Sequence, residues 1–231
     1  MVAFAGALAF LADPQKMLVV TSSAIVAVLL LLAWRRFERP AILYAHVFFV
    51  LSPLFYFALS VNCSFGVLNG FLSWCTALFA KFVLYGIPPV LALSIICGYL
   101  VLPQVHRLAA RPMKTGMFAK LCKRTNIRAG LFVRKSGIPE AFTIGRDIFV
   151  SVGLFDVLTA KEVEAVLLHE LYHVRSGASA RKWSVLTARV FSPIAWFGAA
   201  LSEEEERNAD AFAAMVQRSS RYVKSARAKL S

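Results

Sequence analysis

The sequence predicts a mainly helical (α+β) fold in which N-terminal transmembrane helices precede a compact domain with a small β-sheet. The 231-residue chain is 58% hydrophobic and has a mean hydropathy of +0.64, whereas ordinary soluble domains are roughly half apolar. Seven charged residues lie in residues 1–102 and 32 in residues 103–231. Short β-branched and aromatic runs occur in the second part, whose length suits one domain.

The membrane domain is predicted to comprise residues 1–102. Residues 17–34, 41–60 and 82–102 each approach the roughly 20 apolar residues that cross a bilayer as a helix. Residues 64–80 are also apolar, but they are shorter and contain an asparagine and two glycines. We interpret them as re-entrant or interfacial, with a fourth span as the alternative.

Basic residues predict the side of the membrane on which each span ends, because cytoplasmic loops are enriched in lysine and arginine. Arg35, Arg36 and Arg39 lie in the tight turn between the first two spans, and Arg107 soon follows the third. We therefore expect a multi-pass protein of the plasma membrane, with its N-terminus outside and residues 103–231 in the cytoplasm.

The second domain is strongly basic. Residues 103–231 hold 21 lysines and arginines and 11 acidic residues, so their net charge is +10. A cytoplasmic domain with this excess is attracted to the anionic leaflet of a bilayer. The sequence carries no signature of a nucleic-acid-binding fold, so nucleic acid is not an expected partner.

Two features of secreted proteins are not expected. Residues 2–12 are apolar but too short to span a bilayer and follow no basic residue, so we predict no cleaved signal peptide. The four cysteines show no paired spacing, which argues against a disulfide framework and against a cysteine-ligated metal.

Three short runs predict the sheet. Residues 131–134, 141–144 and 147–152 are rich in β-branched and aromatic side chains. Glycine and proline separate them, as is typical of strands joined by turns.

A helix is predicted directly after the strands. Thr159 and Glu162 form a capping box, apolar residues then recur every three or four positions, and Gly177 ends the helix. This spacing places His169 and His173 one turn apart on one face, within reach of the same ion. Glu170 lies one residue round the helix.

The order His169, Glu170, His173 suits zinc chemistry. Two imidazoles and a third ligand hold zinc with one position open, the ion activates water, and a nearby carboxylate accepts its proton. Glu170 is the predicted catalytic base. The alternative is two surface histidines on an ordinary helix.

A third ligand is expected on a second helix. Residues 202–205 read as a capping box, which accounts for their acidic side chains without a metal. Glu206 is not explained in this way, so it is the predicted third ligand, with Glu203 as the fallback. Asp210 lies on the same face and is predicted to orient a ligating histidine. The cofactor prediction is one Zn²⁺ per chain.

Residues 183–201 are apolar enough to suggest another span. One crossing would separate His173 from Glu206, and two crossings need about 40 residues, whereas 32 lie between these two. We therefore expect residues 183–201 to pack on the domain core or to dip into the membrane interface.

Three segments resemble the gluzincin metallopeptidases of the HtpX and CAAX prenyl protease (type 1) group. They are residues 140–145, residues 167–173 around the two histidines, and residues 206–213, which are similar to the group's ExxAD signature. Two departures are visible. Glu140 stands where the group has asparagine, and the chain has no room between its motifs for the membrane hairpin of HtpX-type enzymes.

This resemblance implies a zincin-like metallopeptidase domain over residues 103–231. It implies a membrane zinc metalloendopeptidase acting on polypeptides, with membrane-protein quality control as the expected role. It also implies an edge strand that pairs with the substrate, assigned to Phe149, Val150 and Ser151. The sequence does not predict an oligomeric state.

Two alternatives to this function remain. Residues 191–196 are also similar to the metallopeptidase domain of BlaR and MecR type sensors, which implies a signalling metalloprotease. The other alternative is a catalytically silent membrane sensor or scaffold.

Overall fold

A computed structural model of the chain describes residue 10 and residues 12–64, 78–198 and 203–230. Its described part is mostly helical, with apolar helices at the N-terminal end and a small mixed sheet, as predicted. By packing, the chain divides into two compact units. The first comprises described residues of 1–95 and 184–200, and the second those of 96–183 and 201–231. The predicted division into a membrane domain (residues 1–102) and a catalytic domain (residues 103–231) is based on function and stays a prediction.

Three helices in the described residues are long and apolar enough to cross a membrane. They are α1 (Pro14–Phe37), α2 (Pro40–Ser64) and α3 (Leu78–Leu108). Asp13 caps α1 by accepting the backbone N–H of Gln15 at 3.0 Å. These helices contain the three predicted spans. The predicted re-entrant stretch falls mainly on residues 65–77, outside the described residues.

The first unit also contains most of the apolar stretch that follows the histidine helix. Helix α7 (Ala178–Phe191) extends into this unit, and α8 (Ala195–Gly198) follows it. Their apolar residues share one cluster with residues of α1 and α2, namely Leu31, Trp34, Leu43, Val47, Leu51, Val185, Ala188 and Ala195. Residues 184–198 therefore pack against the apolar helices. Of the two predicted alternatives, packing on the core of the catalytic domain was wrong, because apolar partners in the first unit cover their inner face. A position in the membrane interface stays a prediction.

The second unit is built on a four-stranded sheet within the described residues. Its strands are β1 (Arg111–Pro112), β2 (Gly130–Arg134), β3 (Ala141–Ile144) and β4 (Asp147–Ser151). The spatial order is β1-β2-β4-β3, with β2 and β4 parallel and the other pairs antiparallel. Strand β4 is thus central and β3 lies at an edge.

Among the described residues, five helices pack either on one face of the sheet or against the helix that lies on that face. They are α4 (Gly116–Thr125), α5 (Val152–Val157), α6 (Ala160–Ser176), α9 (Glu203–Gln217) and α10 (Arg221–Leu230). Ile148 and Val150 of β4 are fully buried against Leu167, Leu168 and Leu171 of α6. This packing fixes the helix that carries the two histidines on the sheet.

The other face of the sheet carries stacked aromatic rings. Phe149 stacks between Phe132 and Phe142, with ring centroids 5.4 and 5.3 Å away. His106, in the last turns of α3, meets the rings of Phe142 and Phe149, and Arg107 forms an ion pair with Asp147. The last turns of α3 therefore contact β3 and β4 on the aromatic face of the sheet.

The start of α6 is fixed by Glu162, which is 4% exposed. Its carboxylate accepts the backbone N–H of Thr159 at 2.7 Å, as the predicted capping box requires. It also accepts hydrogen bonds from Lys229 at 2.8 Å and from Ser225, both on α10. These bonds, that from Lys229 foremost, lower the pKa of Glu162 to about 2. One carboxylate thus ties α10 to α6.

Candidate metal centre

Helix α6 presents two histidines toward α9. As predicted, the helix begins after Thr159 and ends at Gly177, whose φ of 70° is readily adopted by glycine. His169 is partly exposed and His173 is 5% exposed. The one-turn spacing brings their Nε2 atoms to 3.1 Å from each other.

Glu206 of α9 completes a triangle of donor atoms. Its Oε2 lies 3.2 Å from Nε2 of His169 and 3.5 Å from Nε2 of His173. A tetrahedral zinc ion with bonds of about 2.0–2.1 Å separates its donors by roughly 3.3–3.4 Å. The three side chains therefore fit a zinc ion, and they form the metal-compatible group found among the described residues.

Hydrogen bonding fixes the tautomers of both imidazoles. Nδ1 of His169 donates to Oδ1 of Asp210 at 2.9 Å, and Nδ1 of His173 donates to Oε1 of Glu205 at 3.4 Å. In the neutral form each Nε2 then carries a lone pair, and both face the carboxylate of Glu206. The two lone pairs and the carboxylate repel one another unless a cation lies between them.

The partner of His173 is itself enclosed. Glu205 is 8% exposed, and its Oε1 accepts hydrogen bonds from Ser176 at 3.1 Å and from Arg181. Burial would raise the pKa of Glu205, but its bond with His173 and the charge of Arg181 outweigh burial and lower it to about 2. Burial would lower the pKa of His173, but Glu205 and the nearby charge of Glu170 raise it. Negative charge thus surrounds this imidazole.

Glu170 points toward the edge strand. Its side chain is 7% exposed, and the hydroxyl of Thr143 on β3 donates to its Oε2 at 2.7 Å. The carboxylate is therefore held beside the histidine pair without being one of the three grouped donors. Glu170 lines the same two cavities as His169 and Glu206.

The sheet topology corrects the predicted substrate strand. Phe149, Val150 and Ser151 lie on β4, which pairs with β2 on one side and β3 on the other. A central strand has no open edge for a further strand, so these residues cannot pair with a substrate. The error arose because the parallel pairing of β2 with β4 joins segments that are not adjacent in sequence.

Strand β3 is the edge strand beside β4, and one hydrogen bond shows which of its backbone groups face outward. Ser151 N donates to Glu140 O at 2.9 Å. Alternate residues point their backbone groups the same way, so Phe142 also faces β4 while Ala141 and Thr143 face outward. Ser179 donates to the Thr143 carbonyl at 2.9 Å.

A cavity of about 440 Å³ extends from the metal triangle. Its wall includes Glu140 and Ala141 of the edge region, Val166 of α6, and Ala226 and Arg227 of α10. Arg227 donates to Oδ2 of Asp210 at 3.0 Å, on the opposite side from the bond with His169. The cleft thus lies between the edge region and α10, and His169 and Glu206 also line it.

The structure brings together His169, Glu170, His173, Glu206 and Asp210, and their assigned roles stay predictions. The side chain of Glu203, the fallback ligand, is outside the described residues, as is Ser202. Sequence reasoning missed two groups, Glu205 and Thr143. Glu205 had been explained as part of a helix cap, although it directly precedes the predicted ligand. Thr143 could be found only once β3 was placed beside α6.

Comparison with known proteins locates the family resemblance in the same region. The profile of Peptidase family M48 matches residues 105–231. "Protease HtpX homolog 2" of Methanosarcina mazei is 33% identical over 101 residues, which is 41% of this chain and 33% of that protein. "Protease HtpX homolog 2" of Methanosarcina acetivorans is 36% identical over 93 residues, 37% of this chain and 30% of that protein. The match thus spans about a third of the length of these curated relatives.

Proposed function

The chain belongs to peptidase family M48, and from this premise we propose that it is a membrane-embedded zinc endopeptidase with Glu170 as general base. The observation that carries the proposal is the triangle of Nε2 of His169, Nε2 of His173 and Oε2 of Glu206, with sides of 3.1, 3.2 and 3.5 Å. Glu170 lies beside this triangle and is held by Thr143. A purely structural metal site has no need of such a base.

Different side chains would bind the metal, orient the ligands and transfer the proton. His169, His173 and Glu206 would hold one zinc ion per chain, while Asp210 and Glu205 keep each imidazole in the tautomer that offers Nε2. Bound zinc supplies a Lewis acid that polarises a peptide carbonyl and lowers the pKa of water. Glu170 accepts the proton of the attacking water and passes it to the departing amine. Thr143 keeps that carboxylate oriented through its 2.7 Å hydrogen bond.

We assign substrate pairing to β3. The backbone groups of Ala141 face outward from the sheet, and Ala141 lines both cavities that His169 and Glu206 line. An extended peptide that adds to β3 would donate to and accept from its backbone, which would hold the scissile bond near His169, His173 and Glu206. Because the Thr143 carbonyl already accepts from Ser179, Ala141 is the principal anchor.

The cellular setting is part of the proposal. Basic residues after the first and third apolar helices favour a cytoplasmic catalytic unit in a multi-pass protein of the plasma membrane. The basic excess of residues 103–231 favours contact with an anionic leaflet. Such a location suits membrane-protein quality control, with unfolded or membrane-anchored polypeptides as substrates.

Substitution of the base tests the mechanism. Glu170→Gln in the purified full chain should still bind one zinc but cleave unfolded casein at least about 10²-fold more slowly, because proton transfer is lost. Glu164→Gln, on the same helix and paired with Lys161 at 3.0 Å, is the matched control and should keep full activity. Undiminished cleavage by Glu170→Gln would refute the assignment.

Orientation needs a separate experiment. A reporter that is active only in the cytoplasm is fused to the C-terminus of the full chain and expressed in cells. Activity is the expected result. An inactive fusion that is correctly inserted would overturn the proposed topology but not the catalytic mechanism.

A further inference from the structure

Residues 184–198 have the distribution of side chains expected of a protein segment in lipid. Their buried side consists of small residues, namely Ser184, Val185, Thr187, Ala188, Ser192 and Ala195. Their exposed side consists of large apolar residues, namely Leu186, Val190, Ile194, Trp196 and Phe197. A helix on a water-soluble surface has the opposite arrangement, with polar residues outward. Small residues at helix contacts and apolar residues outward are typical of membrane helices.

Two buried hydroxyls of this segment, those of Thr187 and Ser192, are hydrogen-bonded to the apolar helices. Thr187 shares a hydrogen bond with Ser94 of α3 at 3.1 Å. His46 of α2, which is fully buried, joins α1 to the segment, because its Nδ1 donates to the Ala27 carbonyl at 2.8 Å. Its Nε2 then accepts from the hydroxyl of Ser192 at 2.9 Å. Internal pairing of this kind is required where no water reaches.

The positions of these partners give the depth of the segment. His46 lies five residues after Ala41, where the second predicted span begins, and Ser94 lies eight residues before Leu102, where the third ends. At 1.5 Å per helical residue these are about 8 and 12 Å along the spans. The hydrocarbon core is about 30 Å thick, so the segment reaches roughly a third of the way across.

The end of the segment returns toward the membrane surface. Arg35, at the end of α1, donates to the carbonyl of Phe197 at 3.3 Å. Trp196 donates its indole N–H to the Arg189 carbonyl at 2.9 Å, and the Arg189 guanidinium lies 5.4 Å from the Trp196 ring centroid. Tryptophan and arginine in such pairs are typical of the membrane–water interface.

We propose that residues 184–198 form a re-entrant segment embedded in the leaflet next to the Arg35 turn, with lipid acyl chains covering its exposed side. Acyl chains are the chosen partner because α1 and α2, against which the segment packs, also expose large apolar residues. Leu29 is 58% exposed and Phe48 63%, values similar to the 70% of Val190. A second protein would have to cover these helices as well. The proposal goes beyond the peptidase assignment and does not depend on activity.

Cysteine accessibility in nanodiscs tests this proposal. The full chain, with its four native cysteines replaced by alanine, is placed in nanodiscs of phosphatidylcholine and phosphatidylglycerol, whose two faces are both open to water. Val190→Cys is compared with Lys161→Cys, a matched control at a position on α6 that is also largely exposed (side chain 64%). Leu29→Cys is the control for lipid exposure.

We expect Val190→Cys to react with a charged maleimide at least roughly tenfold more slowly than Lys161→Cys, as Leu29→Cys does, because the reactive thiolate forms only in water. A nitroxide attached to the thiol of the Val190→Cys variant should collide more often with oxygen than with a water-soluble nickel complex. Leu186→Cys repeats both measurements, so that one misfolded variant does not decide the outcome.

Two results would overturn the proposal. Reaction of Val190→Cys and Leu186→Cys at the rate of Lys161→Cys would place the segment in water. Low collision rates with both oxygen and nickel would show that protein, such as a second copy, covers it. Neither result bears on the peptidase mechanism, since no activity is measured.

Discussion

Replacing Glu205 by glutamine should weaken zinc binding without removing a ligand. The carboxylate of Glu205 accepts from His173, Ser176 and Arg181 at a site that is 8% exposed. Glutamine keeps the shape but loses the charge, so the Nδ1–H of His173 loses an anionic acceptor and its Nε2 becomes a weaker donor to the metal. The adjacent Arg181 also loses its counter-charge, which adds positive potential near a cation site.

The geometry sets the expected size of this effect. Loss of a carboxylate behind a ligating histidine typically weakens metal binding 10- to 100-fold, or about 1.4–2.7 kcal/mol. The bond from His173 to Glu205 is 3.4 Å, whereas that from His169 to Asp210 is 2.9 Å. The longer bond predicts the smaller loss. We therefore expect about tenfold for Glu205→Gln and closer to 100-fold for Asp210→Asn.

Competition with a chromophoric zinc chelator measures these affinities on the purified full chain. Glu164→Gln is the control for replacing a glutamate on these helices, and thermal unfolding of each zinc-free variant checks that it is folded. If the folded Glu205→Gln variant binds zinc as tightly as the unsubstituted chain, the role given to Glu205 is refuted. A larger loss for Glu205→Gln than for Asp210→Asn would refute the argument from bond length.

Three further predictions concern stability. Because the folded pKa of Glu162 is lowered to about 2 from 4.5, its stabilisation is complete above pH 4.5 and is lost as the pH falls toward 2; Glu162→Gln should flatten this part of an unfolding curve, and an unchanged curve would contradict the assignment. Ser192→Ala leaves Nε2 of buried His46 without its donor and should destabilise the first unit by about 1–3 kcal/mol, measured by thermal unfolding in detergent; no shift would mean that water replaces the hydroxyl. Gly153→Ala places a Cβ against the carbonyl oxygen of Gly137 and should cost about 1–3 kcal/mol; an unaltered midpoint would show that this turn yields.

Local signals in the sequence predicted the helix of the metal site well. The capping box at Thr159 and the glycine at 177 fixed its two ends, and the 3.6-residue period fixed which face carries His169 and His173. Glu206 and Asp210 followed from the same reasoning on a second helix. All of these features depend on residues a few positions apart, which is the range over which helix geometry acts.

Features that depend on distant pairings were not predictable in the same way. The three predicted strand segments are present, yet the predicted edge is β4 and the observed edge is β3, because β4 pairs with β2, although β3 lies between them in sequence. Likewise, nothing local indicates that Thr143 would meet Glu170, 27 positions later. The packing of residues 184–198 depends on His46 and Ser94, which lie far away in the sequence. The sequence predicts for this stretch only that it packs on the domain core or dips into the membrane interface, and it does not identify these partners.

Helix α9 supplies Glu205, Glu206 and Asp210, so the third ligand and the supports of both histidines belong to one short element. Without a cation the carboxylate of Glu206 faces the Nε2 lone pairs of both histidines, so we expect the zinc-free chain to be less stable. At a zinc concentration 100 times the Kd, binding would add about 2.7 kcal/mol to folding. Zinc supply would then govern the lifetime of the protein as well as its turnover. In a cell short of zinc, the less stable zinc-free chains would be degraded first, and the zinc-bound chains would remain.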